Sequence, residues 1–227
     1  MGIFDRTISL LGEEDFNILQ NKNVIVFGCG GVGGYVIEML VRSGLQNLAI
    51  VDFDVVSETN INRQIIATID TVGKYKVDCF KQRIKTINPN CNLTTINSKL
   101  LPENIEQFNL KNFDYVIDCI DMVTCKVELI KYCYENDIKI ISSMGTGNRS
   151  QLPKLEITDI FKTENDGLAK VLRKLLKEKD VKKATVIYSK QDAKKQKEVA
   201  SIAYFPACCG IMISGYVINQ LLNKGDN

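Results

Sequence analysis

The residues Gly28-Cys29-Gly30-Gly31-Val32-Gly33-Gly34 follow a short apolar, β-branched run. Glycines at that spacing let the backbone approach phosphate oxygens. The N-terminus of the helix that follows supplies unpaired N–H groups and a positive dipole. Asp52 lies nineteen residues beyond Gly33, after a second apolar run. An open α/β sheet brings a carboxylate there to a ribose hydroxyl. This much says "nucleotide" and leaves hydride chemistry with NAD open. Asn60-Ile61-Asn62-Arg63-Gln64 then comes eight residues after Asp52, and Lys76 thirteen after Arg63. A dinucleotide's pyrophosphate is held largely by backbone amides. Displacing pyrophosphate from ATP instead develops charge that fixed cations such as Arg63 and Lys76 stabilise. Asp118 and Asp121 close a later apolar run, where a carboxylate can hold the magnesium that accompanies ATP.

Each of these residues also has a purely structural reading. Asp52 and Asp54 can cap a turn. Arg63 and Lys76 can be solvated surface cations. Asp121 can cap a helix starting near Val123.

The elements that must position them follow from periodicity. Residues 9–20 predict an N-terminal helix. Strands are expected at 22–28, 48–51, 93–97, 115–118 and 138–142, and helices at 32–43, 72–87 and 123–135. Continuous apolar strands alternating with helices argue for a mostly parallel, doubly wound, Rossmann-like α/β sheet covered on both faces. That core is assigned to residues 1–150. Residues 151–227 read as a smaller, basic, mixed annex packed on the same domain. It has strands at 154–160, 185–189 and 200–205, a basic amphipathic helix at 166–177 and a closing helix at 211–222.

Composition removes several chemistries. The 227 residues contain no histidine, so the commonest general base and metal ligand are absent. Eight cysteines form no Cys-x-x-Cys pair, so a structural zinc site is not expected. Several lie in apolar runs and read as buried small hydrophobes. A catalytic thiol at Cys208 or Cys209 is left open. No run reaches the ~18 apolar residues of a membrane span. No secretory signal is visible at the N-terminus, so a cytoplasmic location is expected. The net charge of +2 is uneven: residues 162–197 hold twelve Lys or Arg against five Asp or Glu. Such asymmetry suits either an anionic partner or a solvated lysine-rich face.

The ordered set of Gly-x-Gly-Gly-x-Gly, Asp52-x-Asp54, Asn60-x-x-Arg63-Gln64, Lys76 and Asp121 resembles the ubiquitin-activating enzymes and the bacterial adenylyltransferases that serve sulfur carriers. The resemblance implies an ATP site: Gly28, Gly30, Gly31 and Gly33 around the phosphates, Asp52 on the ribose, Asn60, Arg63 and Lys76 on the phosphates, and Asp54 and Gln64 among the nucleotide-binding residues. It implies Asp121 on magnesium, with Arg63, Lys76 and Asp121 as the catalytic group. It also implies a homodimer in which an N-terminal arginine, here Arg6, reaches the neighbouring subunit's ATP.

The later succession narrows this. Ile141 to Arg149, Asp159-Ile160 with Thr163, Asp166 to Arg173, and Ser201 to Pro206 look like the tRNA threonylcarbamoyladenosine dehydratases over nearly the whole chain. That likeness implies adenylation of the threonyl carboxylate of the modified adenosine next to the anticodon. An internal nitrogen then closes a ring, with AMP leaving and water lost overall. Activation makes closure intramolecular, which suits a chain without histidine. It points to tRNA contacts from Lys170, Arg173, Lys174 and Lys177, and to Arg149 on the substrate carboxylate or a phosphate, with a structural salt bridge as the alternative for Arg149. Gly167 departs from the family pattern, which usually has proline there. Three alternatives stay open: activation of a sulfur-carrier protein's C-terminal carboxylate, with a sulfur-relay or carrier protein as partner; an NAD-binding oxidoreductase; and a catalytically silent nucleotide-binding scaffold.

Overall fold

In a computed structural model that describes residues 2–224, one seven-stranded sheet runs through the molecule in the order β3-β2-β1-β4-β5-β7-β6. The strands are β1 Asn23–Phe27, β2 Asn47–Val51, β3 Asn92–Ile96, β4 Tyr115–Asp118, β5 Ile140–Ser143, β6 Glu156–Asp159 and β7 Thr185–Tyr188. All neighbours pair parallel except β6 on β7. The helices are α1 Asp5–Leu11, α2 Glu13–Gln20, α3 Gly33–Arg42, α4 Lys76–Ile87, α5 Val123–Glu135, α6 Gly167–Glu178 and α7 Tyr204–Leu221.

Both faces of the central strands are buried, which is why β1 reads as an unbroken apolar run rather than an alternating one. Val24 and Val26 pack toward α3, α4 and α7, while Ile25 and Phe27 pack toward α5. The chain leaves β1 toward β2 on one side and toward β4 on the other. This is the switch point outside whose carboxyl strand ends open α/β sheets bind ligands. The C-terminal third extends the same sheet through β7 and β6. Leu172 and Leu176 of α6 pack with Val127 and Ile130 of α5.

Three boundaries differ from expectation, each for a local reason. The N-terminal helix is two helices, because Gly12 adopts φ +87° between them. The helix expected from residue 72 starts at Lys76. Gly73 lies at φ +84°, and residues 73–74 bond back to Val56 in extended geometry. Residues 200–205 are not a strand. Residues 200–203 run as irregular chain into α7, which begins at Tyr204 rather than at Ile211. Their alternating pattern mimics a strand, yet Pro206 sits in the first turn of a helix, where its missing N–H costs nothing. Gly210 lets α7 lie against α3: a Cβ there would meet the Val32 carbonyl oxygen at 2.5 Å.

Candidate active site

Along the carboxyl edge of β1, β2, β4 and β5 lies a cleft of about 680 Å³. Its floor is the turn between β1 and α3. Gly28 sits at φ +90°, and a Cβ on it would meet the Cys119 carbonyl oxygen at 2.7 Å. Gly33 is tighter still, since its Cβ would fall 1.8 Å from the Gly28 carbonyl oxygen. Only glycine closes this turn. The cradle is therefore bare backbone at the N-terminus of α3, as an anion site needs to be.

The acids and cations are brought to it from separate loops. Asp52, at the end of β2, accepts the Cys29 N–H at 2.6 Å and the Asp54 N–H at 2.8 Å. It thereby ties the glycine turn to the next loop. The Lys76 ammonium, buried at the start of α4, donates to Asp54 at 2.7 Å and lies 3.9 Å from Asp52. Asn60 accepts the Ser57 N–H at 3.1 Å, which shapes the loop that carries Arg63. The Arg63 guanidinium donates to the Thr59 carbonyl at 2.7 Å and to the Asn62 side chain at 2.9 Å. The Gln64 side-chain oxygen is buried with no hydrogen-bond partner. Gly28, Gly30, Gly31, Asp52, Asp54, Asn60, Arg63, Gln64, Lys76 and Asp121 all line the cleft, and Gly33 packs directly beneath it.

The two acids after β4 part company. Asp121 is exposed on the rim and does not cap α5, whose N-cap is Met122. Asp118 is fully buried. Its carboxylate accepts from Lys126 at 2.9 Å, from the Ser142 hydroxyl at 2.6 Å and from the Ile120 N–H at 3.0 Å. Lys126 also donates to the Ile120 carbonyl at 2.9 Å. Both backbone polar groups of Ile120 are thus held from below, immediately before Asp121.

The other expected residues lie elsewhere. Arg149 does not line the cleft. It is buried, and its guanidinium is taken up by the Gly145 carbonyl at 2.6 Å, the Gln191 carbonyl at 3.1 Å and Asp166 at 3.2 Å. Asp166 in turn caps α6 by accepting the Ala169 N–H. Arg149 thus makes the structural salt bridge that was one of its two readings, and its guanidinium braces loops. Arg173 bends back onto Thr163. Lys177 lies 5.8 Å over the Phe161 ring, and Lys174 is 4.0 Å from Glu178. Lys170, like Lys174, is exposed on α6. Arg6 is exposed on α1 and does not reach the cleft of its own chain.

Sequence reasoning missed Lys99 and Lys126. Lys99 lines the cleft, with its ammonium 5.3 Å over the Phe53 ring. It follows β3 at the ligand-bearing edge, so the strand-end rule could have found it. Lys126 stands among the buried residues of α5, and a charge at a core position was its signal. The buried thiols Cys29, Cys119 and Cys209 are held protonated. Burial pushes Cys209 up to about 12 and holds Cys29 and Cys119 well above the ordinary thiol value. A protonated thiol is a poor nucleophile.

A family model described as the ThiF family matches residues 4–227. A tRNA threonylcarbamoyladenosine dehydratase of Bacillus subtilis (strain 168) is 37% identical over 96% of this chain and 94% of its own length. The chain spans between 42% and 65% of the length of four further curated relatives with the same activity in their names. The E. coli tRNA N6-threonylcarbamoyladenosine dehydratase TcdA in complex with ATP superposes with a TM-score of 0.93 at 32% identity, over 97% of this chain and 94% of that one. A molybdopterin-synthase adenylyltransferase of Haemophilus influenzae is more distant, at 30% identity over 65% of this chain and 59% of its own.

Proposed function

The chain belongs to the ThiF family, and from that membership we propose that it is an ATP-dependent tRNA threonylcarbamoyladenosine dehydratase. The observation that carries the reading is the coincidence of two things. The cleft combines a bare-backbone anion cradle with Lys76, Arg63 and Asp121. A solved dehydratase in complex with ATP has this fold over nearly its whole length.

The residues fit a nucleoside triphosphate. The glycine turn offers N–H groups to phosphate, and Asp52 and the unpartnered Gln64 oxygen offer acceptors to hydroxyl or amine donors. ATP supplies activation of the threonyl carboxylate, so that ring closure by the internal nitrogen expels AMP in place of hydroxide. Lys76 and Arg63 stabilise charge developing on the leaving phosphates. Asp121 is the carboxylate for magnesium. A single protein carboxylate suits magnesium, which would be held by one or two carboxylates together with the nucleotide's phosphates and water. Lys126 and Asp118 fix the backbone that carries Asp121. Holding the reacting groups together accounts for a large part of the rate and needs no histidine.

We assign the same reading a homodimer, with Arg6 serving the neighbouring subunit's site. Arg6 shares the N-terminal segment with Ile3 and Leu10, two exposed apolar side chains suited to a subunit contact. No helix of the described residues is long and apolar enough to cross a membrane, and the reaction belongs where tRNA is.

ATP–pyrophosphate exchange tests the substrate class. Stimulation by tRNA carrying threonylcarbamoyladenosine supports the assignment. Stimulation by a sulfur-carrier protein instead, with tRNA inert, overturns it.

A further inference from the structure

Residues 190–203 form an irregular strap whose inner edge lines the cleft through Val199 and Ser201. Asn148, at φ +59°, is its main tether. The Asn148 N–H donates to the Ala200 carbonyl at 2.7 Å. Its side-chain oxygen accepts the Ala200 N–H at 2.6 Å, and its carbonyl accepts the Lys194 N–H at 2.7 Å. Asn62 donates to the Ser201 carbonyl at 3.1 Å from the loop that carries Arg63. The strap is thus pinned at its middle and at its end to both walls of the site.

What the strap carries is specific. Lys194, Lys195 and Lys197 are exposed, and none makes an ion pair within the described residues. Asp192 and Glu198 offset part of their charge. On α6, Arg173 and Lys177 are engaged within the fold and Lys174 lies 4.0 Å from Glu178, while Lys170 is exposed like the strap lysines. Val199, which lines the cleft, is 85% exposed, Ile202 follows it exposed in the strap, and Tyr204 is exposed at the start of α7 with its hydroxyl donating to the Ser150 carbonyl at 2.7 Å. Lysines that follow a phosphate backbone, with apolar and aromatic faces on which splayed bases stack, are the recognition chemistry of single-stranded RNA loops.

We propose that this strap grips the anticodon-loop backbone beside the modified nucleotide and delivers that nucleotide to the cleft, an inference that rests on the function proposed above. The α6 lysines are then secondary contacts. The strap reaches the cleft itself, so each phosphate it neutralises also fixes the distance from the RNA backbone to the ATP site.

The test is tRNA binding by filter assay across a salt series, on the full chain, with ATP binding by equilibrium dialysis as the control. The K194E/K195E/K197E variant should bind tRNA about tenfold or more weakly, with the log–log salt slope reduced by about 2, while ATP affinity holds. K174E/K177E should lose less on both measures. Wild-type affinity and slope in the strap variant overturn the inference and leave the proposed function standing, since the wild-type protein still binds tRNA. A wild-type protein that binds no tRNA overturns both. Because charge reversal could perturb the loop, K194Q/K195Q/K197Q is measured alongside, and the same reduction in slope is required of it.

Discussion

Lys126 and Asp118 form an ion pair at 2.9 Å with both side chains fully buried, directly beneath the segment that presents Asp121. Breaking one half of a buried pair leaves an uncompensated charge. Lys126→Ala should therefore cost about 3–5 kcal/mol in urea unfolding. A loss below about 1 kcal/mol, the range of an exposed pair, would contradict the burial.

Asp121 should behave in the opposite way. It is exposed on the rim, so Asp121→Ala should change stability by no more than about 0.5 kcal/mol. The same variant should lose turnover. Lys76→Ala should lower the rate of AMP formation about 100-fold or more, as expected for losing one stabiliser of developing charge. Wild-type turnover of Asp121→Ala at saturating magnesium would remove the carboxylate from the mechanism.

Arg149 separates a bracing role from a substrate contact. Arg149→Ala leaves Asp166 buried without its partner, which should cost about 3–5 kcal/mol of stability. The residual folded protein should keep its affinity for tRNA. A stable variant with weakened tRNA binding would restore the substrate role that the sequence pattern suggests.

The thiols give a pH signature. Burial raises Cys209 and Cys133 to about 12 and Cys91 to about 11, against an ordinary value of 9.0. Unfolded thiols ionise first, so the unfolded state binds fewer protons once pH exceeds about 9. Stability is full below that point and falls as pH rises toward about 12. The urea midpoint should show this decline, and Cys209→Ala should lessen it while keeping dehydratase turnover. Loss of turnover would revive a catalytic thiol.

The core of the fold was legible because its strands are buried on both faces and its glycine turn has one stereochemical solution. The cleft-lining acids and cations were legible because ligands of such sheets meet strand ends, and Asp52, Lys76 and Asp121 are all close to strand ends or to the loops after them. Spacing left two readings of Arg149 open because it shows proximity to the rim but not which way a guanidinium turns. Its carbonyl partners at Gly145 and Gln191 are far apart in sequence. The stretch 200–205 was misread as a strand because alternation outweighed a first-turn proline. The strap escaped notice because its role depends on backbone bonds to Asn148, fifty-two residues from Ala200.

The most direct test of the account is the mass of the product nucleoside. The purified protein is incubated with ATP, magnesium and tRNA bearing threonylcarbamoyladenosine, and the RNA is digested and analysed by mass spectrometry. The account predicts a nucleoside lighter by one water, formed only with ATP and absent with Asp121→Ala. An unchanged nucleoside, in the presence of a protein that binds both ATP and tRNA, would contradict it.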